Sequence, residues 1–142
     1  MLDELYTQKL LAITATISHI GELKDAHARA TAVSKLCGSE ISVDLCLDEG
    51  GKICAFAQRV SACALGQTSA SIVAREIEGT CPKEFRDVAR KMRLMLKENG
   101  AAPDGRWEDL VLLEGVRGYK ARHASSLLVF DAVEDCLAQL GV

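Results

Sequence analysis

Apolar residues recur at helical spacing over the first stretch of the chain. Tyr6, Leu10, Ile13, Ile17 and Ile20 share one face of a helix predicted over residues 2–20, and Gly21 marks its stop. Residues 22–29 are polar and predict a loop, with His19 and His27 as surface histidines. The period then falls to two. Residues 30–36 read as a first strand, and from Ile41 the alternation is strict. Ile41, Val43, Leu45 and Leu47 point one way, and Ser42, Asp44, Cys46 and Asp48 the other. Asp48-Glu49-Gly50-Gly51 predicts a turn. Lys52 to about Ser61 then returns antiparallel, with Phe56 and Val60 on one face.

Beyond Ser61 the helical period resumes. Ala70, Val73, Ala74 and Ile77 line one face of a helix that begins after Cys63 and ends at Gly79. The next starts around Thr80–Pro82, since proline is tolerated in a first turn. Its stripe of Phe85, Val88, Ala89, Met92, Met95 and Leu96 predicts a core face, while the basic residues from Lys83 to Lys97 mostly form a solvated one. Residues 99–105 are the longest loop. Trp107 to Leu113 predicts a short helix, broken by Glu114-Gly115-Val116-Arg117-Gly118. A last helix from about Ala121 buries Val129, Val133, Cys136, Leu137 and Leu140. Helix, three-strand antiparallel meander, then helices: the order predicts an α+β fold with helices on one sheet face, in one domain spanning 1–142.

Composition narrows the function classes. A chain of 142 residues can bury a core without cross-links, and its net charge of −3 with no basic run argues against nucleic-acid binding. Aromatic residues are too scarce for base-stacking platforms. No apolar stretch reaches membrane-spanning length, and Met1-Leu2-Asp3-Glu4 lacks a basic leader, so a soluble cytoplasmic protein is expected. The six cysteines are scattered, with no CxxC pair. They predict thiols in a reducing compartment, and any metal site must be assembled from distant segments.

One of these thiols has a distinctive setting. Cys63 ends a strand-like run and opens a helix of small residues, Ala64-Leu65-Gly66-Gln67-Thr68-Ser69-Ala70-Ser71. Unpaired N–H groups and the dipole at a helix start favour the thiolate, the form that binds metal or attacks sulfur. Position alone favours a buried inert cysteine, since free cysteine is among the most buried residue types. A second cysteine changes the balance: Cys37, followed by Gly38, closes the first strand. Cys46 and Cys54 sit inside strands and read as structural.

Taken together, Cys37-Gly38-Ser39, Cys63 26 residues later, the small-residue helix, Leu113-Glu114-Gly115-Val116 and Ala121-Arg122 carry a resemblance. The chain resembles the IscU/SufU (NifU N-terminal-like) iron–sulfur cluster assembly scaffolds over nearly its whole length, and the length after Gly79 suits the SufU branch. The resemblance implies a ligand set of Cys-Gly-Asp after the first strand, a cysteine at the next helix and another at the last. Here Ser39 stands for the aspartate and Ser125 for the third cysteine. IscU-type members carry a histidine directly before that cysteine, whereas here His123 stands two residues before Ser125. The chaperone-docking Leu-Pro-Pro-Val-Lys of IscU-type members is replaced by Gly118-Tyr119-Lys120-Ala121-Arg122.

The implied cofactor is an iron–sulfur cluster or zinc, with Cys37, Cys63 and His123 as metal ligands and Ser39 and Ser125 at the remaining family positions. Such metals prefer several thiolate or imidazole donors, and two cysteines make half a site. Residues i and i+2 of a continuous helix face different ways. Either His123 faces the cysteines and Ser125 does not, or the helix starts after His123 and both reach. The implied partners are a cysteine desulfurase and apo-acceptor proteins, with no nucleic acid and no membrane. The chain is expected to be a scaffold or carrier rather than an enzyme. Two other readings stay open: a persulfide acceptor at Cys63, and an interaction protein that kept the fold and lost the site.

Overall fold

The computed structural model describes residues 4–142 apart from residue 37, and side chains from residue 8 onward. Cys37 and the Tyr6 side chain therefore lie outside the described residues. Helix α1 (Glu4–Ala15) precedes strands β1 (Ala28–Ser34), β2 (Ser39–Leu47) and β3 (Ile53–Ser61). Helices α2 (Ala64–Glu76) and α3 (Pro82–Lys97), a 3-10 segment (Gly105–Gly118) and helix α4 (Lys120–Gln139) follow.

The strands form an antiparallel sheet in the order β1-β2-β3. Alternation sends Ile41, Val43, Leu45 and Phe56 inward, where the helices cover them. The outward row carries one fully buried carboxylate, Asp44, between Arg29 (3.2 Å) and Arg59 (2.8 Å). The Leu23 N–H donates to the same carboxylate at 3.0 Å. A buried charge needs such partners on every side. They also strap the loop after α1 across this face, because Arg59 donates to the Gly21 carbonyl at 2.8 Å.

The first helix is shorter than its stripe predicts. It stops at Ala15 rather than Ile20, within a run of β-branched and hydroxyl residues whose Thr14 and Thr16 side chains bond back to Leu11 (2.7 Å) and Ile13 (3.1 Å). The open edge of β3 takes the following residues. Gln58 N–H donates to His19 (2.9 Å), and Gly21 N–H donates to Gln58 (3.0 Å). Pairing an edge satisfies backbone groups that further helix would not.

A second difference lies at Gly105–Gly118. The short helix and its break are one continuous 3-10 run. Trp107, Leu110, Leu113 and Val116 are buried at a spacing of three, the period of a 3-10 helix, in which i and i+3 eclipse. Phe85 stacks on Phe130 at 5.7 Å and meets Trp107 edge-on at 6.1 Å, joining α3, α4 and this segment in one core. Helix α4 crosses the inner face of β1 and β2, and α2 packs against both α4 and α1. No helix among the described residues is long and apolar enough to cross a membrane.

Candidate functional site

Cys63 is the N-cap of α2, held extended at φ −68° by the turn out of β3. The helix after it carries small residues because α4 lies almost in contact. Ser69 donates to the Ser126 carbonyl at 2.7 Å. A Cβ on Gly66 would stand 2.8 Å from the Ala62 Cβ and 3.0 Å from the Ser125 hydroxyl, so no larger residue fits without displacing one of them. This approach brings Ser125, in the second turn of α4, to 3.1 Å from the Cys63 sulfur. The Ser39 hydroxyl, at the start of β2, lies 3.5 Å from that of Ser125. The start of β2, the start of α2 and the second turn of α4, far apart in sequence, thus meet at one place.

The thiol is only partly buried. Burial alone would push its pKa up, but the Ser125 hydroxyl, the Gly66 and Leu65 N–H groups and the Arg122 side chain together hold it below the ordinary value. Although the thiol form makes no full capping hydrogen bond, the helix start still favours the anion.

His123 is placed differently. Helix α4 begins before it, at Lys120, so His123 and Ser125 point to different faces, and it is Ser125 that meets Cys63. The histidine is buried, and its Nε2 lies 3.0 Å from both the Val116 and Arg117 carbonyls, which makes that nitrogen the donor. It holds the end of the 3-10 segment to the start of α4. The other described cysteines are dispersed. Cys46 bonds to the Asp25 carbonyl (3.4 Å), Cys54 to the Cys46 carbonyl (3.5 Å), and Cys81 caps α3 (3.4 Å).

As a donor set, the described part of the site offers one thiol and two hydroxyls. Among the described residues no three His, Cys, Asp or Glu side chains are grouped to hold a metal ion. Zinc in a closed site needs four soft or imidazole donors. The described residues supply one such donor, and Cys37, which would be a second, lies outside them next to Gly38, whose N–H donates to the Ser34 carbonyl at 2.8 Å.

The whole arrangement has solved counterparts. The N-terminal region of a nitrogen-fixing NifU-like protein from Brucella abortus is 47% identical and superposes with a TM-score of 0.93, over 98% of this chain and 96% of that one. The chain belongs to the IscU/SufU/NifU-like family. The same fold recurs at 19% identity and a TM-score of 0.82 in a Fervidobacterium islandicum AW-1 protein whose proposed role is iron–sulfur cluster assembly scaffold of the SUF system. The match covers 96% of each chain. A hypothetical protein of 23% identity shares it at a TM-score of 0.84, over 96% of this chain and 99% of that one. No family sequence model and no curated protein matches the chain.

Within this NifU-like frame, sequence reasoning located Cys63, Ser39 and Ser125 by motif position but missed two residues that shape the site. Gly66 was visible only as one member of a small-residue helix, although the tight approach of α4 turns on it. Arg122 was a motif match without a role, and its side chain is one of the groups that hold the pKa of the Cys63 thiol below its ordinary value.

Proposed function

We propose that this chain is an iron–sulfur cluster assembly scaffold of the SufU/NifU-like kind, with Cys63 and Cys37 as the thiolates that take an iron–sulfur cluster or zinc. The observation that carries this reading is the Cys63 sulfur at the start of α2, 3.1 Å from the Ser125 hydroxyl, which in turn lies 3.5 Å from that of Ser39, both serines at family ligand positions. In this reading Arg122 and the helix start hold the thiolate ready, and the serine hydroxyls line the remaining positions as weaker donors. His123 orients the start of α4 through its two carbonyl contacts. A cysteine desulfurase is the proposed sulfur source, apo-acceptor proteins the recipients, and the cytoplasm the location.

A second reading has its own observation. The described site concentrates its donors on a single sulfur, which suits a persulfide acceptor served by a desulfurase. One experiment separates the two. The protein is incubated anaerobically with iron, cysteine and a desulfurase, then analysed for bound iron and zinc, for cluster absorption, and by intact mass. Cluster or stoichiometric metal, lost in both Cys63→Ser and Cys37→Ser, supports the scaffold. A persulfide on Cys63 with no metal supports the acceptor. Neither product, with the desulfurase still bound, would leave an interaction protein that kept the fold alone.

A further inference from the structure

Between the end of α3 and the start of α4 lies a cleft of about 590 Å³, within the range of small-molecule sites. Lys97, Arg117, Lys120 and His123 line it together with Asn99, and no carboxylate does. Its floor is fixed before any ligand arrives. Arg117 donates to the carbonyls of Met95 (2.7 Å) and Gly100 (2.6 Å), neutralising the negative end of α3, while His123 is tied to the 3-10 segment. The nearest carboxylate to Arg117, Glu114, is 3.6 Å away and outside the lining.

The two lysines stand on opposite walls, Lys97 as the last residue of α3 and Lys120 as the first of α4. Among the described residues neither has a carboxylate partner, whereas Arg86, Arg90, Lys91 and Arg93 on the same α3 are each paired. On a chain of net charge −3, uncompensated positive charge is thus gathered around a concavity. Low-dielectric walls focus such a field on an anion.

We propose that this cleft binds a small multivalent anion bearing phosphate or carboxylate groups. Lys97 and Lys120 clamp it from the two walls, and the Asn99 amide supplies a neutral donor. Cys63 is not among the residues that line the cleft, so the site stands whatever that thiol does.

The test follows backbone amide NMR shifts of the full chain at fixed ionic strength, titrated separately with pyrophosphate and with citrate to tell the phosphate source from the carboxylate one. Saturable shifts confined to residues 96–100 and 117–124, with a Kd on the order of 1 mM or tighter, are expected for at least one probe. The double variant Lys97→Gln/Lys120→Gln weakens that binding about tenfold, Lys120→Arg retains it, and Lys83→Gln, an exposed lysine elsewhere on α3, leaves it unchanged. Shifts that fail to saturate with either probe, or a Lys83→Gln effect equal to that of the pair, would overturn the assignment.

Discussion

Cys63 and Cys136 are two thiols packed along the same helix, one beside the second turn of α4 and one within its last turn, and their surroundings drive their acidities apart. Cys136 is fully buried, and burial, with the negative charges of Asp135 and Asp44 behind it, pushes its pKa up to about 12. It makes a weak contact to the Val43 carbonyl at 3.8 Å, which favours the protonated form. Cys63 also pays for burial, yet the Ser125 hydroxyl, two N–H groups and Arg122 more than offset it. The difference lies in the neighbours. A thiol among acceptors and carboxylates resists ionisation, and one among donors ionises more readily.

The largest expected effect is in alkylation. In metal-free protein at pH 8, a group with a pKa of about 12 is ionised only to about one part in 10⁴. Iodoacetamide should therefore modify Cys63 at least about 10³-fold faster than Cys136, since only the thiolate reacts and Cys136 is also shielded. Peptide mapping over a time course measures both rates in one sample. Comparable rates would mean that the donors around Cys63 do not act as described.

The shielding of Cys136 can be attacked from behind, through Asp44. Burial by itself would raise the pKa of this carboxyl, but Arg59, the Leu23 N–H and Arg29 leave it below its usual value. A carboxylate with a depressed folded-state pKa contributes stability that is fully present above the unfolded value near 3.8. That contribution is lost as pH falls through the lower folded value. Asp44→Asn should cost about 2–3 kcal/mol at neutral pH, discounted because Arg29 and Arg59 reach solvent, and should remove part of the acid limb of the stability curve. It should also speed Cys136 alkylation through more frequent opening. Denaturant melts at pH 7 and pH 3 check the first point. A variant whose loss is the same at both pH values would show that the Asp44 charge is not what holds the loop.

Much of this was legible in sequence, and the limits have physical causes. The strict alternation from Ile41 to Leu47 placed β2 and its inward face correctly, because one buried face fixes register. The stripe from Phe85 to Leu96 marked α3 for the same reason. Helix α1 was over-extended because the open edge of β3, which claims residues 19–21, is a tertiary feature that no local period reveals. The 3-10 run was hidden because a three-residue spacing at Trp107, Leu110, Leu113 and Val116 also fits a helical stripe. At the site, the meeting of Ser39, Cys63 and Ser125 was readable only through family spacing. That Ser125 rather than His123 meets the thiol depends on where α4 starts, and helix starts are poorly fixed by sequence.

The smallest effect probes that same contact. Ser125→Ala removes one donor to Cys63 and leaves the Leu65 and Gly66 N–H groups and Arg122 in place. A hydrogen bond to a charged group contributes roughly 1.5–3 kcal/mol when fully buried, but Cys63 is partly exposed and water can replace part of what is lost. The thiolate should therefore become a few-fold scarcer rather than vanish, and the midpoint of the alkylation-versus-pH curve should move upward. The fold should barely notice, because the α2–α4 approach is set by Gly66 and by the Ser69 bond to the Ser126 carbonyl, both untouched. Cys136 supplies the internal control, since its rate should not change when a hydroxyl at the far end of α4 is removed. If the Cys63 midpoint stays where it was while the variant remains folded, the 3.1 Å contact to Ser125 is a packing contact only, and the acidity of the thiol belongs to the helix start and Arg122.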